Sequence, residues 1–253
     1  MILAAQDLAL TGRLAGLSAA LRPGELTAIC GPNGAGKSSL LACLAGLLEA
    51  EAGAVTLDGA ALSALPLRAR ARAIGFLPQS AEVAWDVSVA TLVALGRLPW
   101  QGAPLHRAHG DAAADRAAVD AALTAMDLAG LAARPLSRLS GGERARALLA
   151  RVLAGHPRWL LADEPLANLD LAHAAALMRH LRAEADGGTG VVVVLHDLAT
   201  AMNHADRVLV LQGGQLVADG APAEALSEAV IGAVWGIAGR WLGEPGKRAL
   251  AVG

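Results

Sequence analysis

The chain has 253 residues with 21 basic and 23 acidic side chains, a formal charge of −2 that provides no basic field for a nucleic-acid partner. Mean hydropathy is +0.45 and 55% of the residues are hydrophobic, yet no run approaches the roughly 18 consecutive apolar residues of a membrane span, so the expectation is a soluble protein that covers apolar surface against a partner. The length allows one large domain or a core with a subdomain. Residues 1 to 20 contain Asp7 and lack both a basic start and an apolar leader, which points to the cytosol. Cys30 and Cys43 have neither C-x-x-C nor ligand spacing and read as buried, reduced packing residues.

In chain order, Ile2 to Leu10 and Leu14 to Leu21 read as strands that end at the turn Arg22-Pro23-Gly24-Glu25. The apolar strand Leu26 to Cys30 then runs into Gly31-Pro32-Asn33-Gly34-Ala35-Gly36-Lys37-Ser38, which fits G-x-x-x-x-G-K-[ST] at every fixed position. A helix follows from near Lys37, with Leu40, Leu41, Leu44 and Leu48 on its apolar side. Strand, loop and helix together make this a phosphate-binding loop. Its glycines let the backbone fold into a nest of N–H groups at a helix N-terminus, Lys37 reaches the β- and γ-phosphates, and Ser38 can ligate Mg²⁺.

Gly53 to Leu57 is the next strand, Asp58-Gly59 a hairpin turn, and Ile74 to Leu77 a strand ending at Pro78-Gln79. From Val87 to about His156 the pattern becomes alanine- and leucine-rich and helical, broken at Pro99 to Pro104 and at Arg134-Pro135. Within it, Ser140, Gly141 and Gly142 make another anion-binding helix end; alone, Ser140 with Glu143 is also a simple capping box. Strands return at Trp159 to Ala162, at Val191 to Leu195, and at Val208 to Leu211, the last joined through Gly213-Gly214 to Leu216 to Ala218. Helices between them imply parallel crossovers and an α/β core.

Asp163 and Glu164 follow the first of these strands, at the edge where such sheets bind ligands. Asp163 suits support of a Mg²⁺ site, and Glu164 can accept a proton from water attacking the γ-phosphate. Standing alone they would equally cap a turn before Pro165. His196, at the end of Val191 to Leu195, is by itself an ordinary strand-end histidine.

With all these motifs in order, the chain resembles the nucleotide-binding subunit of an ABC transporter over nearly its whole length. Gly31 to Ser38 match the Walker A loop, Gln79 the Q-loop, Leu139 to Glu143 the signature, and Trp159 to Glu164 the Walker B strand. Ala167-Asn168-Leu169-Asp170 match the D-loop, and His196 the switch histidine. The resemblance implies a P-loop core of RecA type with N-terminal antiparallel strands, about 1–86 and 157–230. A helical subdomain would occupy about 87–156 and a small extension 231–253. It implies ATP and Mg²⁺ as cofactors, Gln79 as a further metal ligand, and Glu164, His196 and Gln79 as the catalytic set. In the family two subunits pack head to tail, so each ATP lies between one Walker A loop and the other copy's signature. Asp170 also belongs to the nucleotide-contacting set. The other implied partners are a membrane permease at the cytoplasmic face of the inner membrane and, indirectly, a periplasmic or extracellular substrate-binding protein. A groove beside the helical insertion would receive the permease, with Trp85 and Trp100 as candidates to line it.

Val93 to Trp100 is similar to the corresponding segment in importers of iron-siderophore complexes, haem and vitamin B12. The same residues also fit a helix ending at Gly96, with Arg97 and Trp100 covering surface. Another importer class, an exporter, or a soluble ABC ATPase acting on nucleic acid or ribosomes are the alternatives; the last usually carries fused cassettes or basic extensions that this chain lacks. Departures are Ser39 where Thr is common, Glu143 for Gln, and Ala167-Asn168 for Ser-Ala. No aromatic precedes Phe76, so the ring that usually stacks on adenine is missing. Arg13 is the planar side chain able to replace it, although it also reads as an exposed arginine in a turn. If Arg13 stacks, competition binding should find weak discrimination between ATP and GTP and lower affinity in Arg13→Ala. A strong ATP preference, or unchanged affinity in the variant, contradicts that role.

Overall fold

The computed structural model describes residues 2–79, 86–101 and 111–253; Trp85 and the far end of the Pro99 to Pro104 break lie outside them. Strands β1 (Leu3–Leu10), β2 (Leu14–Leu21), β4 (Ala52–Leu57) and β5 (Ala60–Ala61) form an antiparallel sheet in the order β2-β1-β4-β5. The larger sheet takes β3 (Leu26–Cys30), β6 (Ile74–Leu77), β7 (Trp159–Asp163), β8 (Gly190–Val194), β9 (Arg207–Gln212) and β10 (Gln215–Gly220). Its order is β10-β9-β3-β8-β7-β6, and every pairing is parallel except the β9–β10 hairpin.

Period-two alternation divides the core into two clusters. Ile29, Leu161, Val192, Val194, Leu209 and Leu211 face α1 (Lys37–Leu44) and the antiparallel sheet. Ala28, Cys30, Leu160, Val191, Val193 and Val208 join the cluster built from the helices of the other face. These are α3 (Val89–Ala94), α5 (Gly141–Ala154), α6 (Leu171–Asp186), α7 (Leu198–His204), α8 (Pro222–Ala225) and α9 (Glu228–Trp235), with α4 (Ala112–Ala125) packed beside α5. Helix α2 (Leu67–Ala73) leads into β6. Both cysteines are buried and unbridged, as expected.

Three expectations need correction. Helix α1 stops at Leu44, because Gly46 turns the chain at φ +67, so Leu48 lies beyond it. The extension expected from Ile231 begins inside α9, whose Ile231 and Val234 belong to the main core; a hairpin of β11 (Gly239–Leu242) and β12 (Ala249–Val252) follows. The helix expected to end at Gly96 ends at Ala94 and tightens into a 3₁₀ turn through Trp100. Gly96 lies so close to α5 that a Cβ would sit 2.0 Å from the Arg151 carbonyl oxygen.

Arg97 is therefore no surface residue: it is 7% exposed. Its Nε lies 2.7 Å from Asp115 and its guanidinium donates to the Ala154 carbonyl at 3.0 Å. Trp100 donates to the Gly155 carbonyl at 3.0 Å, and the Arg72 and Arg97 guanidiniums lie 4.7 and 4.9 Å from its ring centre. The indole, half-buried, thus ties α2 to the end of α5. Arg97→Met would leave the Asp115 carboxylate without its partner and should cost about 3 kcal/mol, read as a lower urea midpoint, with much of it recovered when Asp115→Leu is added. An unchanged midpoint in the single variant contradicts this.

Candidate active site

Parallel strands deliver four chemical groups to one edge of the sheet. β3 runs into Gly31 to Ser38, β6 ends before Gln79, β7 ends on Asp163 with Glu164 next, and His196 follows β8 by two residues. The loop's glycines are required by both conformation and space. Gly31 has φ +150 and a Cβ there would lie 2.2 Å from the Leu211 carbonyl oxygen; Gly36 has φ +97, with the Arg13 carbonyl oxygen at 2.3 Å.

A brace invisible in the motif holds the loop from the side. Gly214 donates its N–H to the Ala35 carbonyl at 3.2 Å and accepts from Ala15 at 3.0 Å. Gly213-Gly214, legible only as a hairpin turn, therefore fastens the phosphate loop to β2. Lys37 is buried, and its Nζ donates to the carbonyls of Gly31 at 2.8 Å and Pro32 at 2.9 Å. A cleft of about 420 Å³ is lined by Gly12, Arg13, Asn33, Gly34, Ala35, Gly36, Lys37, Ser38, Ser39 and Glu164. Arg13 thus stands at the mouth of the phosphate cradle. A larger cavity, of about 510 Å³ beside Cys43, Leu47 and Arg70, holds none of the motif residues.

Ser38 donates to Asp163 Oδ1 at 3.1 Å. Glu164 is held at both oxygens: Gln79 Nε2 donates to Oε2 at 2.6 Å, and His196 Nε2 lies 2.5 Å from Oε1. Its backbone is left-handed at φ +49, a conformation that costs energy for a non-glycine residue. Among the described residues no cluster of three or more His, Cys, Asp or Glu could cage a metal. The oxygens present, from Ser38, Gln79 and Asp163, are the hard donors that Mg²⁺ accepts when phosphates supply the rest of its shell.

The signature residues stand apart from this cleft. Ser140 caps α5: its Oγ accepts from Glu143 N–H at 3.2 Å while the Glu143 carboxylate accepts from Ser140 N–H at 2.8 Å. Glu143 is thereby committed to its own helix end. Gly141 borders a smaller groove with Gln79 and Glu164, and none of Ser140, Gly141, Gly142 and Glu143 lines the phosphate cleft. Asp170 likewise caps α6, accepting from His173 N–H at 2.8 Å.

Burial lowers the Lys37 pKa, opposed by Glu164, Cys30 and Asp163. Burial pushes the Cys30 thiol up to about 12, so it stays protonated. Asp163 is raised, again by burial first, with the Ser38 hydrogen bond opposing. A carboxyl whose folded pKa lies above its unfolded value favours folding below both and loses that advantage as pH rises through them. Asp163→Asn should therefore stabilise the nucleotide-free chain at neutral pH relative to wild type, the gain vanishing in acid below the ordinary aspartate value of about 3.9. Thermal unfolding at a series of pH values checks this. A variant less stable than wild type at pH 7 contradicts it.

Comparison with known proteins agrees with this geometry. The ABC transporter family model matches residues 14–167. The hemin import ATP-binding protein HmuV of Streptomyces coelicolor is 45% identical over 225 residues, 88% of this chain and 77% of the relative. Its namesake from Myxococcus xanthus is 41% identical over 244 residues, 92% and 89% of the two chains. A metal-chelate type ABC transporter solved in an inward-facing conformation superposes with a TM-score of 0.83 at 24% identity, covering 99% of this chain and 96% of that one, a likeness of fold. The cbiO1 subunit of a Clostridium perfringens ABC transporter complex gives a TM-score of 0.77 at 26% identity, with 90% and 92% covered. The match over more than half of the chain and the identity to these relatives show that the chain belongs to the ABC transporter family as an ATP-binding, ATP-hydrolysing member.

Proposed function

We propose that this chain is the ATPase subunit of an importer for haem or a similar iron chelate. The observation that carries the hydrolytic part is Glu164, fixed at both oxygens between Gln79 and His196 at the edge of the Lys37 cleft. Lys37 and the loop N–H groups hold the β- and γ-phosphates, and Arg13, which lines the same cleft, stacks on the base. Ser38 and Gln79 would ligate Mg²⁺, with Asp163 orienting Ser38, and the bound ion would supply charge neutralisation at the phosphate oxygens. Glu164 takes the proton of the attacking water, and His196 holds the carboxylate in place while it does so.

The segment of about 87–156 acts as a helical subdomain on the core. Separation of Ser140 to Glu143 from the phosphate cleft supports a head-to-tail pair in which each signature completes the other copy's site. Leu171, beside Asp170, is 91% exposed and suits that contact. Leu67 and Leu98 are 73% and 57% exposed on neighbouring elements, and Leu95 is 44% exposed on the same 3₁₀ turn as Leu98. With no described helix long and apolar enough to cross a membrane, these leucines suit docking of a permease at the inner face of the membrane, with a substrate-binding protein on the far side. Hemin as cargo rests on the names of the relatives at 41–45% identity.

Glu164→Gln should bind ATP as wild type does while turnover falls by ~10²–10⁴-fold; near wild-type turnover removes Glu164 from this role. Reconstituted in vesicles with the permease encoded beside it, the complex should take up hemin with ATP. Uptake of a ferric siderophore or cobalamin in its place assigns the cargo to the related class, and copurification with ribosomes or DNA and no membrane protein overturns the importer reading.

A further inference from the structure

The two glycines of the signature have different reasons to be there. Neither has a positive φ among the residues with that conformation. A Cβ on Gly141 would meet nothing within 4 Å, whereas one on Gly142 would lie 2.0 Å from Cδ2 of His173 and 2.6 Å from its Nε2. An imidazole from another helix thus occupies the place a Gly142 side chain would take, and any substitution there has to displace it.

That imidazole is itself held firmly. His173 Nδ1 lies 2.8 Å from both carboxylate oxygens of Asp170, and the His173 backbone N–H donates to Oδ1 at 2.8 Å. The ring cannot swing away from α5 without breaking the contact with the residue that caps α6. Helix α5 belongs to the helical segment inserted after β6 and α6 follows β7, and both bury residues in the same core cluster against the large sheet. Their N-termini carry Ser140 and Asp170, the two acid or hydroxyl groups expected to face a second copy's nucleotide.

We propose that His173 is a positioning residue that joins the signature end of α5 and the D-loop end of α6 into one body, so that both present to the partner's ATP together. The proposal rests on the head-to-tail reading above. Nδ1 sets the ring by its bond to Asp170, and the carbon edge of the ring sets how closely Gly142 approaches. His173 touches no nucleotide and acts through Gly142 and Asp170 alone.

The test uses the full chain in the Glu164→Gln background, where unhydrolysed ATP should hold two copies together. Light scattering across an ATP titration gives the concentration for half-maximal dimerisation, and a fluorescent ATP analogue gives single-copy binding at protein concentrations too low for dimers. Adding His173→Ala should raise the half-maximal concentration about tenfold, a loss of about 1.4 kcal/mol of pairing. Single-copy binding should stay within about twofold, since Lys37 and its loop are untouched. His173→Asn keeps a donor near Nδ1 and His173→Phe keeps the ring; each should recover part of the loss. Equal dimerisation with and without His173→Ala overturns the proposal. A parallel fall in single-copy binding and unfolding temperature assigns His173 a merely structural role and overturns it too. Failure of Glu164→Gln alone to dimerise in ATP would instead overturn the head-to-tail reading.

Discussion

A buried ammonium at the carboxyl edge of a parallel sheet is the constraint on which the rest of the site depends. Lys37 sits at 6% exposure with two carbonyls of its own loop at its Nζ. An ammonium in that position is costly unless acceptors and opposite charge surround it. The sheet order supplies them: β3 lies next to β8, and β8 next to β7, so Asp163 and Glu164 arrive at the same edge and support the charged form of Lys37. Positive and negative groups are thus already arranged at this edge, as the proposed nucleotide site requires. Preorganisation of this kind is where most electrostatic catalysis comes from.

The edge also explains why so much close packing surrounds the loop. Gly31 lies against Leu211, Gly36 against Arg13, and Gly214 bridges Ala35 to Ala15. These contacts join the antiparallel sheet, the phosphate loop and the β9–β10 turn into one rigid support. Arg13 is carried to the cleft by that same support, since its carbonyl is the one against Gly36. On the other face α5 presents Ser140 at its exposed N-terminal end, while Ala147, Leu149, Ala150, Val152 and Leu153 further along it are buried in the main core.

Much of this was legible from local patterns. The phosphate loop, its strand and its helix read directly because glycine spacing and an apolar strand are local signals. The strands ending at Asp163 and before His196 read because parallel strands buried on both faces are continuous apolar runs. What sequence alone did not reveal depends on distant partners. Arg97 reads as a surface residue until α4 and the end of α5 close over it with Asp115 and the Ala154 carbonyl. Ile231 reads as the start of an appendage until α9 packs it fully into the core. Gly142 reads as part of an anion-binding helix end, and its close approach to His173 has no local signal because the imidazole comes from another helix. The left-handed backbone of Glu164 has no mark in the sequence beyond the Pro165 that follows it.

On the proposed head-to-tail arrangement, each nucleotide site takes Lys37 from one copy and Ser140 from another. Retention of radiolabelled ATP through rapid desalting, with Glu164→Gln in every chain, tests it most directly. Copies carrying Lys37→Ala and copies carrying Ser140→Arg should each fail to retain ATP alone, and a mixture should retain it, because a mixed pair has one site with both residues intact. A mixture that retains nothing, or Ser140→Arg copies that retain ATP by themselves, would contradict the account.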